Sequence, residues 1–198
     1  MKSTLKTTLM RLMSARSFGY KETRYAKLFG RVPHVGAEAW FHEIFKSPSR
    51  EALLSVDRKF RGGLPSSFKT FLQSVNGLIL FSDTLAVFGI PVSYARRGDD
   101  AYQPYSLLDV NQELPANASD TTILIGRYSY DGSNLCMGDG PRVWRCSSKS
   151  IRPLYEWPSL ENMIESEIDR LSCLFDATGH QIGKDSQLVP KKTARGRV

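Results

Sequence analysis

The chain has 198 residues, 41% hydrophobic and 24% charged, the balance of a soluble globular protein able to bury one sizeable core. No apolar run approaches the roughly 18 residues of a membrane-spanning helix, which excludes that class. Three scattered cysteines, Cys136, Cys146 and Cys173, read as reduced, cytoplasmic thiols rather than a disulfide framework, and no CxxC or His/Cys cluster offers a metal site.

The net charge of +7 belongs to the ends. Lys2, Lys6, Arg11, Arg16, Lys21 and Arg24 against Glu22 give +5 over residues 1–24. Lys184, Lys191, Lys192, Arg195 and Arg197 against Asp185 give +4 over residues 183–198, so residues 25–182 carry only −2. A folded basic face that tracks a phosphate backbone is not indicated, and association with nucleic acid is open only to the tails.

Residues 1–36 read as a basic N-terminal extension, possibly helical, with Leu5, Leu9, Leu12 and Met13 at helical spacing. A secretory signal is rejected because Arg11 breaks the run Leu9 to Met13. An organellar transit peptide fits the composition; a frayed extension or a helix packed on the domain is the reading favoured. A single domain is expected over 37–182. Trp40, Phe41, Ile44 and Phe45 make an apolar stripe for a helix over Ala37 to Lys46, with His42 and Glu43 on its polar side. Ser47-Pro48-Ser49 then breaks that helix and caps another from about Arg50 to Phe60, buried through Leu53, Leu54, Val56 and Phe60.

The organising stretch is Leu64 to Gly89. Pro65 suits a helix start, and Leu64, Phe68, Phe71, Leu72 and Val75 share one helical face. Asn76-Gly77 stops the helix. Leu78 to Phe81, a turn at Ser82-Asp83 and Leu85 to Phe88 follow as strand, turn and strand. This sequence of Gly63-Leu64-Pro65, a helix with Phe68 and Phe71, Asn76-Gly77 and a strand ending Phe88-Gly89 resembles the SUKH superfamily, which includes a yeast cell-wall synthesis regulator and many bacterial immunity proteins.

Between Ile90 and Asp120 periodicity is lost. Arg96-Arg97-Gly98-Asp99-Asp100 reads as a solvent-facing turn flanked by Tyr94, Tyr102 and Tyr105, and Ser106 to Gln112 as a short helix or turn. Thr121 to Gly126, Leu135 to Met137 and Arg142 to Cys146, separated by Asp131-Gly132-Ser133 and Asp139-Gly140, form a three-stranded meander. Glu156-Trp157-Pro158-Ser159 opens the last helix, with Ser159 as cap, an apolar stripe from Leu160 to Phe175, Glu161, Glu165 and Glu167 on its polar side, and Gly179 as its stop. Both the meander and this closing helix are also similar to the SUKH domain, so the resemblance covers roughly residues 50–178. Residues 183–198 read as a basic disordered tail.

The expected fold is α+β, a twisted and mainly antiparallel sheet of about five to six strands flanked by N- and C-terminal helices. The chemistry-bearing residues do not converge: His34, His42 and His180 are dispersed, and nucleophile-elbow, phosphate-loop and dinucleotide spacings are missing. No catalytic, cofactor-binding or metal residues are expected. What remains is a candidate partner-binding surface of Tyr94, Arg96, Arg97, Asp99, Asp100, Tyr102, Tyr128, Tyr130 and Asp131, because tyrosine and arginine combine large buried area with polar groups that pair at an interface rim. The resemblance implies a non-enzymatic immunity protein that binds and neutralises a cognate toxin. Facing a basic nuclease toxin would require Asp99, Asp100, Asp109, Glu113 and Asp120 to gather on one surface. The alternatives are a regulatory adaptor docking a cellular protein, or nucleic-acid association through the basic tails.

Overall fold

A computed structural model describes residues 2–95 and 97–191, with side chains from Leu5 onward. Nine strands form one antiparallel sheet in chain order: β1 (Tyr20–Glu22), β2 (Ala26–Arg31), β3 (Trp40–Phe45), β4 (Leu78–Leu80), β5 (Leu85–Val87), β6 (Ile123–Tyr128), β7 (Asn134–Met137), β8 (Val143–Ser147) and β9 (Ser150–Trp157). The helices are α1 (Lys2–Arg11), α2 (Arg50–Asp57), α3 (Ser66–Ser74), α4 (Leu107–Val110) and α5 (Leu160–Ser172). The class is α+β, with more strands than the five or six expected.

Cross-strand partners share a face of a sheet, so the register sorts residues directly. Tyr20, Phe29, His42, Leu80, Leu85 and Tyr128 make one row across β1 to β6. Helix α1 lies over this face, with Leu5 and Leu9 beside Tyr20, Phe29 and Ile44, and α1 in turn contacts α5. Displaced by one residue, Lys21, Leu28, Glu43, Ile79, Ala86, Arg127 and Asn134 make a row on the opposite face. There the segment between β5 and β6 lies across the sheet: Tyr102, like Ile79, packs against the buried cluster of Ala26, Leu28, Trp40 and Phe45. The sheet thus has a helix face and a loop face.

Several expectations are corrected. Residues 40–45 are a strand rather than a helix. Trp40, Phe41, His42 and Phe45 are all buried, and a strand covered on both faces gives a continuous apolar run that mimics helical spacing. The extension 1–36 is not an appendage: it supplies α1, a 3-10 turn over Leu12–Phe18, β1 and β2. Leu5, Leu9 and Leu12 bury as their spacing implied, while the lysines and arginines of 21–31 concealed the two strands. Thr23 closes their turn, its Oγ1 accepting from the amides of Tyr25 and Ala26. Strand β9 was missed because Pro153 argues against a strand; as the last strand of the sheet it needs no donor there.

The closing helix starts as expected, Ser159 Oγ accepting from Asn162 N at 3.1 Å. Glu167, however, is buried and salt-bridged to Arg170 at 2.5 Å rather than solvated. The start of the expected tail also packs on the domain. Arg170 donates to the carbonyls of Gln187 and Leu188, buried Arg145 donates to Pro190 O at 2.7 Å, and Leu188 is buried. Residues 192–198 lie outside the described residues. Cys136 and Cys146 meet across β7 and β8 as free, buried thiols with 2.8 Å between their Sγ atoms.

Candidate functional site

The Asn-Gly and Phe-Gly dipeptides of the organising stretch turn out to be two halves of one clamp. Asn76 Nδ2 donates to Ile90 O and its Oδ1 accepts from Ile90 N, both at 2.7 Å and both buried. Gly77 adopts φ 94°, and a Cβ there would lie 2.6 Å from Val87 O. Gly89 faces the Asn76 carbonyl so closely that any side chain would collide with it. The clamp fixes where the chain leaves β5. Leu107 N then donates to Gly89 O at 2.8 Å and Gly89 N to Tyr105 O at 2.9 Å, so residues 90–106 form a loop tied at both ends.

Beneath this loop sits a polar cluster centred on Asp83. The β4–β5 turn holds Phe81, Ser82 and Asp83 at φ 54°, 54° and 67°, a left-handed run of three non-glycine residues that carries roughly 1–2 kcal/mol of strain per residue. Such strain persists only where surrounding contacts over-determine it, and it concentrates at functional sites. Asp83 Oδ2 accepts from Tyr105 OH at 3.0 Å, Arg127 Nη2 at 3.0 Å and Ser129 Oγ at 3.1 Å. The Arg127 guanidinium also stacks over the Tyr105 ring, 4.3 Å from its centre. Among the described residues, the buried Asp83 Oδ1, Ser82 Oγ and Arg127 Nε have no hydrogen-bond partner. Glu43, in the same cross-strand row as Arg127, is pushed up to about 7 by burial and then by the charge of Asp83. Burial and the same Asp83 charge hold the Tyr105 hydroxyl above its usual range.

Toward β1 the cluster opens into a groove of about 580 Å³ whose lining includes Lys21, Glu38, Glu43, Tyr102, Gln103 and Tyr105. Tyr102 OH donates to Glu38 Oε2 at 3.4 Å, and Lys21 Nζ lies 4.9 Å from the Tyr102 ring centre. Gln103 is buried, its Oε1 accepting from Val92 N at 3.0 Å and its Nε2 without a partner among the described residues. Asp99 and Asp100 lie in a 3-10 turn, Gly98–Ala101, at the groove's edge, and Asp99 Oδ2 accepts from Arg24 N at 2.8 Å, tying the loop to the β1–β2 turn. Glu38 is paired with Arg31 at 3.2 Å and Glu43 titrates at about 7, so the negative charge on this side comes from Asp99 and Asp100 at the groove's edge.

The structure sorts the sequence-derived surface into three parts. Tyr94, Arg97, Asp99, Asp100 and Tyr102 share the 90–106 loop, with Tyr94 64% exposed and its hydroxyl 3.4 Å from Asp109 Oδ1. Arg96 lies outside the described residues. Tyr130 is exposed and Asp131 half-exposed on the β6–β7 turn. Asp131 serves the fold: its carboxylate pairs with buried Arg145 at 2.5 Å, and although burial opposes it, Ser133 and Arg145 hold its pKa below the usual range. Tyr128 is a correction. It is fully buried in the helix-face row, where burial and then the Glu167 charge push its hydroxyl well up, so it cannot present itself to a partner. One residue of strand alternation separates it from Arg127, which does reach the cluster. The acidic residues of 99–120 do not gather in one place either: Asp99 and Asp100 flank the groove, whereas Asp109 and Asp120 line a second depression with Tyr94 and Arg61.

His34 and His180, expected to lie apart, stack with 3.7 Å between ring centres. No group of three metal-ligating side chains occurs among the described residues. Sequence reasoning missed Asp83, Glu43, Tyr105 and Arg127 as a unit; locally Ser82-Asp83 reads only as a polar turn between two apolar runs. Comparisons with protein-family models, with curated proteins and with solved structures returned no match to this chain.

Proposed function

We propose that this chain is a non-enzymatic protein-binding domain of the SUKH type, most concretely a cytoplasmic immunity protein that captures a cognate toxin through its loop face. The observation that carries this reading is the 90–106 loop. It is tied at both ends by the Asn76 clamp and the Gly89 contacts, yet exposes Val92 and Tyr94, each at 64%. A loop that is anchored but leaves large apolar side chains in water has already met most of the ordering cost of an interface. Tyr94 and Tyr102 supply anchors of the kind that dominate interfaces, and Asp99 and Asp100 at the groove's edge favour a partner that presents a basic side chain.

The test is a pull-down with the full chain against the products of neighbouring reading frames, at two salt concentrations. One tight partner retained at high salt and lost in Tyr94→Ala/Tyr102→Ala supports the reading. Binding that disappears with salt and is indifferent to those tyrosines would instead assign association to the basic ends.

A further inference from the structure

We propose that the cavity between α1 and the β1–β3 end of the helix face binds a single-chain amphiphile with an anionic head, a long-chain fatty acid. This site is separate from the loop face and does not depend on the toxin-binding reading. Its volume is about 430 Å³, and its apolar lining includes Leu5, Leu9, Met10, Met13, Phe29 and Ile44. That is within the usual size of a small-ligand site. Met10, Met13 and Tyr20 are among the most exposed large apolar side chains of the domain, at 55%, 37% and 38%, and all three line this one cavity. Unbranched methionines adapt readily to a flexible chain.

The rim supplies the charge. Lys6, Arg16 and Lys27 line the cavity, and among the described residues no acidic side chain does. Arg16 is held over the Tyr20 ring, 4.1 Å from its centre. The acid closest in sequence, Glu22, accepts from Tyr20 OH at 2.9 Å, pairs with Lys46 at 2.9 Å and stands opposite Lys27 across the β1–β2 ladder; Lys46 and Tyr20 first, then Lys27, hold its carboxyl below the usual range. Three cations therefore surround an apolar floor, Lys6 and Arg16 without a salt-bridge partner among the described residues and Lys27 opposite Glu22, the arrangement that a carboxylate on an alkyl chain completes. The basic, leucine-spaced N-terminus, which protein binding on the loop face leaves unused, is then one wall of this site.

The full chain should displace a fluorescent fatty acid when titrated with palmitate, whereas hexadecanol, of equal chain length and no charge, should compete at least about tenfold more weakly. Arg16→Gln/Lys27→Gln alters two exposed side chains and leaves a neutral residue opposite Glu22. It should weaken palmitate at least about tenfold while leaving Tm within about 2 °C. Met13→Trp, which fills the cavity mouth, should weaken both ligands. Absence of palmitate binding overturns the proposal, as does equal competition by the alcohol, unchanged affinity in either variant, or binding confined to anionic phospholipid vesicles with none to monomeric palmitate.

Discussion

His42 and Glu43 are consecutive residues of β3, and the difference between them is the difference between the two faces of the sheet. His42 points into the helix face, where Phe41 and Phe81 rings lie 4.3 and 4.8 Å away and Phe81 N donates to its Nδ1 at 3.3 Å. Burial lowers its pKa to about 3, so it stays neutral and serves packing. Glu43 points to the loop face, where burial and Asp83 push it up to about 7. One face is mainly apolar, with the Tyr128 hydroxyl left unpaired in it; the other holds Asp83, Gln103 and Arg127 with unpaired polar atoms under a tethered loop. Stability is concentrated on the first and recognition, in this account, on the second.

The comparison breaks most visibly if the helix-side core proves dispensable. Phe68→Ala removes a fully buried ring and should cost about 3–5 kcal/mol in denaturant unfolding. The two titratable neighbours should then give opposite pH signatures. Because the folded pKa of His42 lies below its unfolded value, its contribution is intact above about 6.5 and is lost as pH falls toward 3. His42→Asn should accordingly be relatively more stable than the parent at pH 4.5, by about 2–3 kcal/mol compared with pH 8. The folded pKa of Glu43 lies above its unfolded value, so its contribution is present below about 4.5 and lost as pH rises through 7. Glu43→Gln should gain about 2–3 kcal/mol at pH 8 relative to pH 4. The smallest effect belongs to Tyr94→Ala, within about 0.5 kcal/mol of the parent in stability, since its side chain stands in solvent.

Legibility in the sequence followed the same division. Helices α2, α3 and α5 and the β4–β8 strands are amphipathic or bounded by Gly turns, so their local pattern and their tertiary role agree. Where β3 is buried on both faces, the alternation that marks a strand disappears, and Trp40 to Phe45 imitates a helix. Where β1 and β2 carry Lys21, Lys27 and Arg31, charge conceals the ladder. The site was harder still. Tyr128 and Arg127 are equally attractive interface residues on paper, and only the register, Leu85 opposite Tyr128 and Ala86 opposite Arg127, decides which one enters the core. Asp83 meets Tyr105, Arg127 and Ser129 across separations of 22 to 46 residues, contacts that no local window contains.

The central claim is that recognition belongs to the loop face. Its most direct measurement is calorimetric titration of the neighbouring-frame partner into the full chain, into Tyr94→Ala/Tyr102→Ala, and into Arg16→Gln/Lys27→Gln on the helix face. The account predicts a loss of at least about tenfold in affinity for the tyrosine variant, with its native circular dichroism retained, and parental affinity for the helix-face variant. Parental affinity in the tyrosine variant, or a loss confined to the helix-face variant, would contradict it.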